Sequence, residues 1–273
     1  MPRLALVPGI DGVTLLFDLH SHILPGVDDG PKTVEATLDM ARVAAKGGTT
    51  VMLATPHRKD VTENWSVQHV RDLLDDVNRR IGEEGTDLTL VLGMENHLDM
   101  DLPDEVSSGR ALPMNGSRYS LVEMPFFGRP NYIEDVLFKV QLQGTVPVLA
   151  HPERIEAFQR DPDLLASFVE RGMLSQITAG SVVGHFGRRA RRFTNTLLKR
   201  RLVHVIASDT HFPRGPRSPD LLRGVAAAAQ FVGEERARAM VVDTPKAILD
   251  DQSVDVEPPV EAGGTGQWWR PWG

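Results

Sequence analysis

At 273 residues, 41% hydrophobic and 25% charged, the chain reads as an ordinary soluble globular protein with length for one barrel-sized α/β domain or two smaller ones. The net charge of −7 argues against a general nucleic-acid binder. There is no cysteine, which removes disulfides, thiolate metal sites and every mechanism built on a cysteine nucleophile.

The first residues are mildly apolar but are interrupted by Pro8, Gly9, Asp11 and Gly12, so no signal peptide is expected. No apolar run is long enough for a membrane-spanning helix, and a cytoplasmic enzyme is the expectation. The apolar run Val13 to Leu19 leads into FDLHSHILPGVDDG. Side chains two apart on an extended strand share a face, so His20 and His22 are set to offer two imidazoles to one cation. From Thr33 to Lys46, apolar residues at spacings of three and four predict a helix closed by Gly47-Gly48. Thr50 to Ala54 reads as a buried strand ending in Thr55-Pro56-His57, with a polar loop to Trp65. Ser66 to Glu84 carries Val67, Val70, Leu74, Val77 and Ile81 on one stripe, a second helix.

Leu88 to Leu92 is the next strand, ending in Gly93-Met94-Glu95. An irregular stretch with a short helix follows to Ser117. Tyr119 to Val122 is a strand ending at Glu123, Asn131 to Gln143 a helix, and Val146 to Ala150 a strand ending at His151. Asp163 to Arg171 is helical, Leu174 to Thr178 a strand, Gly184 to Arg200 a basic helix, and Leu202 to Ala207 a strand ending at Asp209. Pro219 to Phe231 and Glu234 to Val242 read as outer helices. Strand and helix alternate about seven times, the pattern of a parallel sheet with crossover helices, and a closed or nearly closed barrel fits this length. Residues 15–250 form one expected domain, preceded by an extension (1–14) and followed by a flexible tail (251–273) that ends in Trp268-Trp269-Arg270-Pro271-Trp272.

Active sites of such barrels gather at the carboxyl ends of the strands. His20, His22, His57, Glu95, Glu123, His151, Asp209 and His211 all fall there, joined by one of Asp28 and Asp29 just after the first strand. Imidazole and carboxylate ligands without thiolate suit Mn²⁺, Fe²⁺ or Zn²⁺, and the carboxylate share leans towards Mn. Nine ligands exceed what one ion can use, so two or three close ions are expected. Such ions activate water and neutralise an in-line displacement, which makes phosphoester hydrolysis the leading reaction class. Arg154, Arg214 and Arg217 supply guanidinium forks for a phosphate dianion.

The bland readings stand beside these. A single HxH is a weak signal, and only four separate strand-end clusters make the metal reading strong. His69 on a charged helix and His204 inside a strand suit surface or core roles, while His97 and His185 stay open. The run Arg188-Arg189-Ala190-Arg191-Arg192 reads as a solvated helix face, with contact to an anionic substrate as the lesser alternative.

HSHILPGVDDGPKT, ATPH, GME, NGSRYSLVEMP, VLAHPER, QITAGSVVGHFG and ASDTH, in this order, resemble the manganese-dependent protein-tyrosine phosphatases of the polymerase and histidinol phosphatase (PHP) superfamily, which accompany bacterial capsule and exopolysaccharide genes. The similarity spans about Phe17 to Leu222. It implies a distorted (β/α)7-type TIM-like barrel with a trinuclear site. His20, His22, Glu95 and Asp209 would hold the first ion, Glu95, Glu123 and His151 the second, and Asp29, His57 and His211 the third. Asp29 is preferred to Asp28 because it adjoins the glycine. Arg154 and Arg217 would bind phosphate, with Arg214 as the alternative to Arg217. The implied substrate is phosphotyrosine in a polysaccharide-synthesis tyrosine kinase. The alternatives are a small-metabolite phosphatase, acting on histidinol phosphate or a nucleotide, and a non-catalytic regulatory module.

Overall fold

Parallel strands alternate with helices through the whole of the computed structural model, which describes residues 15–260. The expected extension 1–14 and the Trp-rich end, 261–273, lie outside the described residues. In chain order the elements are β1 (Leu16–Ser21), α1 (Val34–Lys46), β2 (Thr49–Ala54), α2 (Arg58–Asn64), α3 (Val67–Glu83), β3 (Thr89–Leu92), β4 (Asn96–His97), α4 (Leu102–Ser107) and β5 (Tyr119–Glu123). They continue with α5 (Ile133–Leu142), β6 (Val146–Ala150), α6 (Glu156–Arg160), α7 (Pro162–Glu170), β7 (Leu174–Thr178), α8 (Ala179–Val183) and α9 (Gly187–Lys199). Then come β8 (Val205–Ala207), α10 (Leu221–Val232), α11 (Glu234–Ala239) and α12 (Asp243–Leu249).

Local chemistry explains the boundaries. Thr33 caps α1 by accepting from the Ala36 amide (3.3 Å), and Ser66 caps α3 by accepting from the His69 amide (3.1 Å). Each helix then buries the apolar face its spacing implies, Met40, Ala41 and Ala44 on α1, and Val70, Leu74, Val77 and Ile81 on α3. The segment after His57 is the helix α2 and not the expected polar loop. Buried Val61 anchors it, and the Thr62 hydroxyl donates to the Arg58 carbonyl (3.0 Å). The basic helix starts at Gly187, later than expected, because Gly184 (φ 96°) ends the short α8 in the left-handed region that glycine adopts without strain. His204 precedes β8, and its Nδ1 accepts from the Ser175 amide (3.0 Å).

The strands form two sheets, β1-β2-β3 and β4-β5-β6-β7-β8, all parallel within each. Leu19, Leu53, Tyr119, Leu121, Val148, Leu174 and Val205, drawn from both sheets, form one buried cluster, so the two share an interior. α1 and α3 cover the first sheet, while α5, α7, α9 and α10 cover the second. The cyclic strand order is that of the expected distorted barrel; of the two forms expected, closed or nearly closed, the described residues do not show the closed one, because the ladder is not continuous. One seam lies between β3 and β4, a single strand broken at Gly93-Met94-Glu95 that pairs with β2 before the break and β5 after it. An isolated bridge, His57 to Glu95, spans it. The other seam lies between β1 and β8. Met240 and Val241 fill its lower part, their carbonyls accepting from Ile206 (3.0 Å) and Phe17 (2.9 Å). Its upper part is tied by the Asp209 amide donating to His20 O (3.0 Å) and the His22 amide donating to Thr210 O (2.9 Å).

Residues 251–260, grouped with the tail in the sequence, run along the body. The Tyr119 hydroxyl donates to Gln252 O (2.8 Å) and accepts from the Val254 amide (3.1 Å), and the Arg118 Nε donates to Asp251 (2.9 Å).

Candidate metal centre

Each candidate residue arrives at the site from the carboxyl end of a strand. β1 carries a bulge, three of its residues spanning two of β2 between Asp18 and Ser21, and a bulge re-aims the side chains that follow it. The result brings Nε2 of His20 and Nε2 of His22 to 3.2 Å. Glu95 faces both, 3.4 Å from each Nε2, and Asp209 Oδ1 stands 3.7 Å from each. His151 Nε2 lies 2.9 Å from Glu95 and 3.4 Å from Glu123. His57 places Nδ1 3.0 Å from Glu95 and Nε2 3.6 Å from Asp29. His211 Nε2 stands 3.0 Å from Asp29 Oδ1. All nine expected residues are thus brought together. Two of the strand-end residues, His151 (φ 33°) and Asp209 (φ 52°), hold left-handed backbones that non-glycine residues adopt at a cost.

Three overlapping groups among the described residues offer atoms within 4.8 Å of one another: His22, Asp29, His57 and His211; His20, His22 and Glu95; and His57, Glu95 and Glu123. The nine side chains are buried except Asp29 and His57, so the site opens to solvent on their side. Burial disfavours every charge here, yet the charges hold one another. Against burial, Asp28 and Glu95 lift the His22 imidazole to about 9, and Asp29 and Glu95 lift His57 to about 11. Burial and the Arg154 charge oppose protonation of His151, but Glu123 and Glu95 raise it to about 9. Burial and the Glu95 charge work to raise Glu123, and His151 and His97 bring it down to about 2. Facing His211 and His57 hold Asp29 well below the usual carboxylate range, whereas burial pushes His211 down.

The donor set fits divalent cations. Buried imidazoles and carboxylates converge without any thiolate, and Nε2 of His211 has no aligned hydrogen-bond partner although it points at the shared space.

Supporting residues surround the ligand candidates; Asp28 was the alternative to Asp29 in the sequence, whereas Gln176 and Asp18 were not singled out there. Asp28 lies 2.6 Å from His22 Nδ1 and accepts from the Gly30 amide (2.9 Å) and the His57 amide (3.2 Å), so it orients the ring while Asp29 faces the cluster. Gln176, a lone amide in the strand LSQIT, places Nε2 3.3 Å from His20 Nδ1. Asp18 accepts from the amides of Ser208 (2.9 Å) and His20 (3.4 Å), clamping β1 to the start of the Asp209 turn, and burial lifts it to about 6. A polar residue within an apolar strand was the available signal for Gln176 and Asp18. His97, left open earlier, stands 3.5 Å from Glu123. His185 faces Pro216 O (3.1 Å), and His69 stacks on Trp65 at 4.6 Å.

Arg154 donates from Nη1 to Asp209 Oδ2 (2.5 Å), and Arg217 donates from Nη2 to Asp209 Oδ1 (2.9 Å) with Nη1 3.7 Å from Asp29. Arg214 is exposed and in no ion pair among the described residues. The Arg154 guanidinium lies between two rings, 5.0 Å from Phe126 and 4.7 Å from Phe186, a pairing with no signal in the local sequence.

A family model described as capsular polysaccharide synthesis, CpsB/CapC, matches residues 16–250. The chain belongs to this CpsB/CapC family. Tyrosine-protein phosphatase YwqE of Bacillus subtilis is 36% identical over 196 residues, 72% of this chain and 77% of the relative. Tyrosine-protein phosphatase CpsB of Streptococcus pneumoniae is 27% identical over 248 residues, 88% of this chain and 100% of the relative. A solved structure from the work on YwqE and CpsB, described there as unique metal-dependent tyrosine phosphatases, superposes with a TM-score of 0.82 at 32% identity, covering 90% of this chain and 100% of that one. The phosphotriesterase homology protein of Escherichia coli, at 12% identity and a TM-score of 0.55 over 85% of this chain and 98% of its own, shares the fold alone.

Proposed function

We propose that this chain is a metal-dependent phosphomonoesterase that hydrolyses phosphotyrosine in proteins, and that its substrate is a tyrosine kinase of capsular or exopolysaccharide synthesis met in the cytoplasm. The observation that carries the reading is the meeting of nine imidazole and carboxylate ligands with two guanidinium groups on one carboxylate, Asp209. The family membership and the names of the relatives support it.

His20, His22, Glu95 and Asp209 would hold one ion, Glu95, Glu123 and His151 a second, and Asp29, His57 and His211 a third, with Mn preferred to Fe or Zn on the carboxylate share. Bound ions lower the pKa of water and neutralise charge on a transferring phosphoryl group. The protein's own part is orientation. Asp28 and Gln176 fix the rings of His22 and His20. Arg154, held flat by two rings, and Arg217 stand ready to move from Asp209 to the equatorial phosphoryl oxygens, where planar forks match the charge that develops. Tyrosinate, with a pKa of roughly 10, leaves with less need of a proton than an alkoxide. Residues 15–250 are read as the catalytic unit.

The test is hydrolysis of a phosphotyrosyl peptide with and without Mn²⁺ and chelator, beside a panel of small phosphoesters. Metal-dependent turnover with preference for the peptide is expected. Clear preference for histidinol phosphate or a nucleotide would assign the site to a small metabolite instead, and no metal uptake would leave a regulatory module.

A further inference from the structure

The face of α9 that carries Arg188, Arg189, Arg191 and Arg192 takes no part in the chemistry above. All four side chains are exposed, and none is in an ion pair among the described residues. At 100° per residue they span an arc of about 160° on one side of the helix, opposite the buried Ala190, Phe193 and Leu197. Their placement works against the helix. No acidic residue stands in its first turn, so the cations meet the positive end of the helix dipole. Arg188 also repels Arg191 and Arg192 at spacings of three and four, and Arg189 repels Arg192. A protein of net charge −7 has carboxylates to spare, yet places none of those described against this face.

The patch lies beside the phosphate-binding arginines. Phe186, immediately before α9, is the ring that covers Arg154 at 4.7 Å. His185 is tied to Pro216 O (3.1 Å), in the loop that carries the exposed Arg214 and the site residue Arg217. A chain that delivers a phosphotyrosine to Arg154 and Arg217 therefore passes the start of α9.

We propose that this arginine face docks the acidic residues flanking the phosphotyrosine of a protein substrate, an inference that rests on the phosphotyrosine reading above. Unpaired cations beside a site raise the rate of encounter with an anionic chain and give specificity that salt weakens. Lone phosphate esters, which end at the ions and the two clamping arginines, gain nothing from it.

The experiment compares the full chain with a variant carrying Arg188→Gln, Arg189→Gln, Arg191→Gln and Arg192→Gln, and with the milder pair Arg188→Gln and Arg192→Gln. Glutamine is a good helix former and relieves the repulsion, so both variants should fold. The substrates are a phosphotyrosyl peptide with acidic flanks, one with Gly/Ser flanks, and p-nitrophenyl phosphate. Expected is a kcat/KM for the acidic peptide about tenfold lower in the fourfold variant and intermediate in the pair, with the other two substrates unchanged. Added salt should lower the wild-type rate on the acidic peptide alone. Equal wild-type rates on the two peptides, or an equal loss on all three substrates, overturns the docking role. Loss of binding to phosphatidylserine vesicles or to DNA with unaltered peptide kinetics also overturns it and gives the face to that anion. A wild type that cleaves p-nitrophenyl phosphate but neither peptide instead ends the phosphotyrosine reading, and the docking role with it.

Discussion

Oδ2 of Asp28 lies 2.6 Å from Nδ1 of His22, while Nε2 of the same ring faces Glu95 at 3.4 Å. The ring is thus oriented from behind by a carboxylate that does not itself enter the cluster. Asp28→Asn keeps the shape and removes the charge, and metal affinity should fall by roughly 10- to 100-fold with the fold intact. Asp29→Asn takes away a proposed ligand and should lose more. Activity titrated against Mn²⁺, with metal content after dialysis, separates the two.

Arg154→Ala should lower kcat/KM for a phosphotyrosyl peptide by roughly 100-fold without changing metal content. Arg154→Lys should recover little, since an ammonium neither stacks between Phe126 and Phe186 nor forks onto two oxygens. Phe126→Ala and Phe186→Ala should each cost less, through KM. A kinetically silent Arg154→Ala would contradict the phosphate role.

Tyr119→Phe removes two hydrogen bonds that hold residues 252–254 to the body. The expected cost is about 1–2 kcal/mol, hence a Tm lower by roughly 2–8 °C. Limited proteolysis after Asp251 should quicken, with turnover preserved.

Burial and then the Arg236 charge hold the His204 imidazole down to about 4. The folded state therefore keeps the ring neutral where the unfolded chain, at 6.5, takes up a proton. Above that pH the residue contributes no pH dependence. As pH falls from 6.5 towards 4 stability is lost, by on the order of 2 kcal/mol once the partial exposure of the residue is allowed for. His204→Gln should flatten this limb in urea unfolding at a series of pH values, and an unchanged slope would count against the assignment.

The candidate positions that the structure brings together were legible because a parallel strand is an apolar run and its end is where polarity returns. His20, His57, Glu95, Glu123, His151 and Asp209 each stand at such an end, so function could be read from where the runs stop. Asp29 was preferred to Asp28 by resemblance; in the structure Asp28 lies on His22 and accepts from two amides, while Asp29 faces the cluster. What stayed hidden depends on contacts distant in sequence. α2 owes its helix to buried Val61, and the Phe126–Arg154–Phe186 stack joins three separate loops. The seams were hidden for the same reason, because a strand's pattern does not say that Met240 and Val241 will take the place of a neighbour.

Those seams give the centre a mechanical meaning. His20, His22, Asp29, His57 and Glu95 belong to the first sheet and its loops, while Glu123, His151, Asp209 and His211 belong to the second. Each of the three proposed ligand sets takes members from both halves. A loaded centre would therefore rivet the two half-barrels along the lines where the hydrogen-bond ladder is missing. Stripping the ions should then show as faster amide exchange at His22, Asp209, Arg58 and Glu95, on both seams together, and loading as a single stiffening of the whole wall.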